Sequence, residues 1–319
     1  MGLLLSVVAA LASLLILPGW FFYFDIVPKV AVVLFGAAVA LPFLNLRANR
    51  SRAGKFFLWL ISAQAAAIVL ATLFSTHRWL SFFGSAWRRE GAPTEIAILI
   101  LAASAAIWLP ARGNPRLFLR ITVFAAVPAA IYGILQYFGI DPILPPASYH
   151  FGEGRFMIVR PPSTLGHASY FATYLLFVTF AAGALAKLES SRAWKIAAMT
   201  VSVLAIFAIV LSGTRAALLG LLVGAAFIAA RRGFNRRWLI ASALVAVVFA
   251  GFYFSPAGAR LRARVFWSSE DLLGGARLPL WRDTLAMSSS RLETGYGPET
   301  FTPEFPHHES IRLARAFPD

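Results

Sequence analysis
A chain of 319 residues that is 59% hydrophobic and only 13% charged is not a soluble globular domain, in which about 25% of residues are charged. Its net charge of +15 is gathered in short loops, with no basic domain and no nucleic-acid motif, so it reads as membrane-flanking charge and not as a nucleic-acid footprint. The absence of cysteine excludes disulfides, thiol catalysis and cysteine metal sites, and the five His residues (77, 150, 167, 307, 308) show no metal-ligand spacing on a helix.

Apolar runs of bilayer-spanning length recur along the chain, which predicts an all-α, polytopic transmembrane helical bundle and not a β-barrel. Spans are expected at about 3–20 and 30–46, then, after a basic loop (Arg47 to Lys55), at about 56–74. A polar connection, Ser75 to Pro93, leads to a fourth span at about 94–109, and the basic turn Ala111 to Arg116 to a fifth at about 117–138. The connection Gly139 to Pro162 holds five prolines. Spans follow at about 165–186, 196–211, 216–230 and 238–254, nine in all. The bundle is thus assigned to residues 1–254. Residues 255–319 are polar and read as the start of a large outward-facing loop, in a chain that stops before further spans. Met1 to Leu17 lacks a basic flank and a cleavage site, so it is taken as the first span and not as a signal peptide.

The loops after the second, fourth, sixth and eighth spans collect Lys and Arg and carry one acid, Glu189. The positive-inside rule puts these loops and the N-terminus in the cytoplasm, and the other connections and the C-terminal segment outside. Against that bias, Arg78, Arg88, Arg89, Arg155, Arg160 and Arg215 fall on the outer side. Arg at an outer membrane edge serves either an anionic ligand or the phosphates of outer-leaflet lipid.

The stretch Arg160 to Ala172 joins a proline-bounded polar segment to an apolar helix, with Ser163 and Thr164 as expected caps. Arg160 beside free N–H groups at a helix start suits phosphate; an ordinary capped helix with an interfacial Arg is the plainer reading. Arg215 follows the turn Ser212-Gly-Thr and is either an anion ligand or a snorkelling cation. Further on, Arg260, Arg262 and Arg264 are spaced as one face of a membrane-surface helix, and Gly275 to Leu285 reads as a helix with Trp281 and Leu285 on one face. A Gly-rich turn runs from Gly295 to Phe301, and His307-His308 is either a general base or a surface pair.

Four blocks together resemble the O-antigen ligase family, the polytopic glycosyltransferases that include O-antigen ligases, related polymerases and protein O-oligosaccharyltransferases. They are Ser81 to Gly91, Arg160 to Ala172, Leu211 to Ala216, and Arg277 to Trp281 with Gly295 to Phe301. There are departures: His167-Ala-Ser169 stands where the family often has Asn-Pro-Asn, Thr214 replaces a Ser, and the family's His-Asn pair does not occur before Asp319.

The resemblance implies transfer of a glycan from an undecaprenyl-diphosphate carrier to an acceptor at the periplasmic face of the bacterial inner membrane. It implies a metal-independent reaction without cofactors. Arg215 and Arg277 are the expected catalytic residues, Arg160, Arg89 and His167 the expected diphosphate and substrate contacts, and a general-base His is expected beyond Asp319. Ligation to lipid A–core is the leading expectation; a growing glycan (polymerase) or a protein (oligosaccharyltransferase) would use the same donor chemistry. A secondary transporter for an anionic solute is the alternative from another class, disfavoured by spans nearly free of mid-membrane charge.

Overall fold
The computed structural model describes residues 1–44, 52–111, 114–151, 158–232, 247, 250–259, 262 and 277–316. It is mostly helical, and the chain forms two compact units, one of Met1–Phe118 with Leu272–Asp319 and one of Leu119–Asp271. Eight helices overlap the first eight expected spans, though α1 and α2 are shorter than expected: α1 (Gly2–Leu14), α2 (Val27–Ala40), α3 (Arg52–Leu73), α5 (Ala92–Ala111), α6 (Pro115–Tyr137), α7 (Ala168–Leu188), α8 (Arg192–Ser212) and α9 (Arg215–Arg232). A short helix not expected from the sequence, α4 (Arg78–Phe83), sits inside the connection after α3. Five segments are long and apolar enough to cross a membrane: Gly54–Leu73, Ala92–Pro110, Pro115–Tyr137, Ala168–Leu188 and Arg192–Ser212. The ninth expected span lies mostly outside the described residues; residues 250–254 are helical.

Helix is the element that satisfies every backbone polar group within one segment, as hydrocarbon surroundings demand. Side chains then sort inversely to a soluble protein: Phe56, Phe177 and Phe227 are each more than 60% exposed, while the helix–helix seams take small residues. In the second unit Ala126, Ala182, Ala198 and Ala205 are at most 1% exposed, and they share one core with the fully buried Phe171 and Leu175. In the first unit α5 packs against α1, α2 and α3, with Leu58, Ala103 and Ile107 at the α3–α5 seam.

Local chemistry sets the ends. Asn114 caps α6 through its side chain, accepting from Leu117 N at 3.0 Å, and Pro115 occupies the first turn, where its missing N–H costs nothing. Gly213 adopts the left-handed conformation (φ +60°) and ends α8, so α8 and α9 are two helices joined by a tight turn and not one broken helix. The connection after α6 carries a two-stranded antiparallel hairpin, β1 (His150–Phe151) and β2 (Ile158–Val159), with His150 opposite Val159.

The single acid of the four basic loops is accounted for within the second unit. Glu189, at the α7–α8 turn, has a side chain only 1% exposed and accepts two hydrogen bonds from the Arg120 guanidinium of α6, at 2.6 and 2.7 Å. The same guanidinium lies over the Trp194 ring, 4.4 Å from its centroid. A bidentate fork of this kind is what makes a buried carboxylate tolerable.

The C-terminal segment of the first unit forms α10 (Arg277–Ser289), α11 (Phe301–Glu304) and α12 (Ile311–Ala316). Trp281 and Leu285 of α10 are exposed; the packed side holds Met287 and Asp283, whose carboxylate accepts from Ser310 N at 2.9 Å. Of the three arginines expected on a surface helix, Arg260 and Arg264 lie outside the described residues, and Arg262 donates to Ser255 O at 2.9 Å.

Candidate functional site
In the second unit the candidate site is built on the start of α7. Pro161 and Pro162 are buried and carry no N–H, so the first backbone donor after Arg160 is Ser163 N. That N–H is buried and donates to the Gln136 side-chain oxygen at 2.7 Å, while the Ser163 hydroxyl donates to Ala129 O at 2.6 Å. These bonds hold Ser163 at φ +53°, a conformation costing a non-glycine residue about 1–3 kcal/mol. The expectation that Ser163 and Thr164 cap the helix is corrected here. Both lie in a preceding 3-10 turn, and the cap is His167, whose Nδ1 accepts from Ser169 N at 3.2 Å.

This cap fixes the imidazole. With Nδ1 as acceptor, the neutral ring carries its proton on Nε2 and presents a donor. Desolvation and then the nearby Arg160 charge hold His167 below the usual histidine range. Arg160 itself is anchored by its backbone, N–H to Tyr149 O at 2.9 Å. Its Nε is buried and, among the described residues, has no hydrogen-bond partner. Such an atom is costly to leave unpaired, and an anionic oxygen is its natural complement.

The turn ending α8 meets the same end of this unit. The Thr214 hydroxyl, also bonded to Ser212 Oγ (3.2 Å), lies 3.4 Å from Ala168 O, a long contact that ties the turn to the α7 start. Arg215, the next residue, begins α9 and is exposed, with no side-chain partner among the described residues. Arg160, His167 and Arg215 therefore gather where two long helices, α7 and α9, present their N-terminal ends. Free N–H groups, the positive ends of both helix dipoles and two guanidinium groups together favour an anion.

Arg89 and Arg277 belong to the first unit. Arg89 is exposed at φ +58°, and its carbonyl accepts from Thr94 Oγ1 at 2.7 Å; Arg277 is the first residue of α10. Here the structure joins two of the blocks noticed in the sequence. Ser75 Oγ donates to Tyr296 O at 2.9 Å, Ser81 Oγ to Pro298 O at 2.9 Å, and Glu90 N to Glu299 Oε1 at 2.7 Å. The Gly-rich turn is thus seated on the connection after α3. Gly297 has φ +108°, and a Cβ there would run into the Ser75 and Ser81 hydroxyls, so glycine is required on both counts. His77 Nε2 pairs with Glu304 Oε1 at 3.2 Å, and His308 Nε2 with the Tyr296 hydroxyl at 3.0 Å, while His307 is exposed. A hollow of about 460 Å³ in this unit is lined by apolar side chains such as Leu34, Leu73, Phe82 and Ile96. Its one hydroxyl, on Thr72, is spent on Ile68 O. It suits hydrocarbon and not phosphate. Among the described residues no group of three or more His, Asp or Glu side chains is placed to hold a metal ion.

The residues not anticipated from the sequence are Gln136, Asp141 and Tyr132. Asp141 accepts from Tyr132 OH, Gln136 Nε2 and Ile143 N, each at 2.8 Å, and from Leu144 N at 3.0 Å. Desolvation pushes its carboxyl up, but the Leu144, Ile143, Tyr132 and Gln136 hydrogen bonds outweigh it and hold the group below the usual range. The available signal was one amide, Gln136, near the end of a mostly apolar span.

No curated protein and no solved structure matches this chain. Residues 200–317 match the family described as O-antigen ligase, an interval that includes Arg215 and Arg277 and lies beyond Arg89, Arg160 and His167. Over that interval the chain is similar to the O-antigen ligase family, and its long apolar helices fit a multi-pass membrane protein of that kind.

Proposed function
We propose that the protein is a multi-pass glycosyltransferase of the bacterial inner membrane. It moves a glycan from undecaprenyl diphosphate to lipid A–core at the periplasmic face. The observation that carries this reading is in the second unit: Arg160 has a buried Nε without a partner among the described residues and lies near the cap of α7, and the turn before Arg215 touches the first residue of α7.

In this reaction the acceptor hydroxyl oxygen bonds to the anomeric carbon, the bond from that carbon to the diphosphate oxygen breaks, and the hydroxyl proton passes to a base. The departing diphosphate gains negative charge. Preorganised cations stabilise that charge most where it develops, without reorganising at the moment of reaction. In the second unit Arg215 takes that role in our reading, with Arg160 and His167 holding the diphosphate and the adjoining sugar; Arg277 and Arg89, in the first unit, are proposed for the same chemistry from their sequence blocks alone. The reaction needs no metal on this reading, because guanidinium groups and helix ends supply the positive field.

The test is complementation of a strain lacking the gene. Loss of polymer from lipopolysaccharide, with accumulation of the lipid-linked polymer, supports ligation. Shortened polymer with normal attachment replaces ligase by polymerase, and loss of glycan from protein replaces it by oligosaccharyltransferase.

A further inference from the structure
We propose that Gln136 and Asp141 are positioning residues that hold Arg160 for the donor diphosphate through the rigid Pro161-Pro162-Ser163 link. The proposal rests on the reading of Arg160 as a diphosphate ligand. Arg160 is fixed on its N-terminal side by its own N–H to Tyr149 O, at 2.9 Å. On its C-terminal side two prolines give rigid φ angles but no donors, so the next anchor is Ser163. Gln136, 0% exposed within α6, supplies that anchor and uses both ends of its amide. Its oxygen accepts from Ser163 N at 2.7 Å, and its nitrogen donates to Asp141 Oδ2 at 2.8 Å. Asp141 is in turn saturated by Tyr132 and by the N–H groups of Ile143 and Leu144.

The direction of this relay is specific. A carboxylate at 141 takes a hydrogen from the amide, which forces the amide oxygen toward Ser163 N and fixes which way Gln136 points. Leucine at 136 would fill much the same space but leave Ser163 N buried without an acceptor, freeing the segment that follows Arg160. A polar side chain this fully buried is otherwise a liability. Here every one of its groups serves the segment that carries Arg160.

The test uses full-length protein in lipid nanodiscs, with undecaprenyl diphosphate as the probe and its Kd as the readout. Gln136→Leu and Gln136→Glu each weaken binding about tenfold, the first by removing the acceptor and the second by setting two carboxylates against each other. The exchange Gln136→Glu with Asp141→Asn reverses the relay, since Asn then donates to Glu and Glu still accepts from Ser163 N. It restores binding to within about threefold of the parent. In an Arg160→Ala background Gln136→Leu has no further effect, because its influence runs through Arg160.

The proposal is overturned if Gln136→Leu binds like the parent while Arg160→Ala is weakened, if the exchange fails to restore binding, or if the two losses add. If Arg160→Ala itself binds like the parent, the diphosphate reading fails and takes this proposal with it.

Discussion
The two units each join a connection to helices by polar contacts, but with opposite charge balance. At the α7 start of the second unit, the nearby acid is already saturated: Asp141 accepts from two side chains and two backbone N–H groups. The cations there are left over, with Arg160 Nε unpaired and Arg215 exposed. At the Ser75–Ser81 junction of the first unit, carboxylates are mixed in, with Glu299 on Glu90 N and Glu304 on His77. Its hydroxyls are consumed by the carbonyls of the Gly-rich turn. The first arrangement is open to an anion; the second is closed on itself and holds two distant chain segments together. The lesson is that counting Arg residues along the connections separates candidate anion sites less well than asking which acids are already paired.

The largest effect expected on this contrast is at Arg215. Arg215→Ala is predicted to lower glycan transfer by about 100-fold or more at normal protein level, the size seen when a donor aimed at developing charge is removed. Arg89→Ala, in the mixed-charge junction, is predicted to cost far less; equal losses in the two variants would erase the distinction between the units. Next comes Glu189→Gln. It leaves the Arg160 end intact but removes the charge from a bidentate pair whose carboxylate is buried, and a lower melting temperature is expected. A thermal melt in which this variant matches the parent would show that the pair contributes nothing.

How far the sequence could have supplied this contrast depends on the kind of signal. Five long helices were legible because an apolar run of bilayer length has few alternatives, whereas the short α4 left no such run. The expected helix starts were less so: Ser163 has the side chain of a cap, yet Gln136, well upstream, claims its N–H and Ala129 O its hydroxyl, so the cap passes to His167. The blocks around Ser81 and Gly295 were visible as patterns, but nothing local says that hydroxyls at 75 and 81 seat the turn at 296–298. Long-range hydrogen bonds leave no period and no spacing in the chain. Arg160 and Arg215 were singled out by charge against the expected topology, an argument about position along the bilayer and not about contact.

A smaller effect tests the closed junction. Gly297→Ala is predicted to destabilise the protein by about 1–3 kcal/mol, through positive φ and the clash with Ser75 and Ser81. Unchanged melting would mean the turn is not seated there.

The smallest effect is at His167. Its folded-state pKa lies below the unfolded value, so the unfolded chain takes up the proton first as pH falls. Stability is therefore undiminished above about pH 6.5 and declines as pH drops from there toward the folded value, where the decline levels off. Asparagine caps a helix without titrating. His167→Asn is predicted to flatten the dependence of melting temperature on pH between about 7 and 5. An identical slope in both proteins would remove His167 from the acid response.

The Arg120–Glu189 pair also bears on how the chain enters its membrane. Arg120 lies near the start of α6 and Glu189 at the far end of α7, so they meet only when those two ends emerge on one side of the bilayer. A chain threaded with α6 inverted would strand a bare carboxylate at the α7–α8 turn, with its partner across the hydrocarbon. The pair is therefore compatible with one relative orientation of α6 and α7 and leaves the inverted one without compensation.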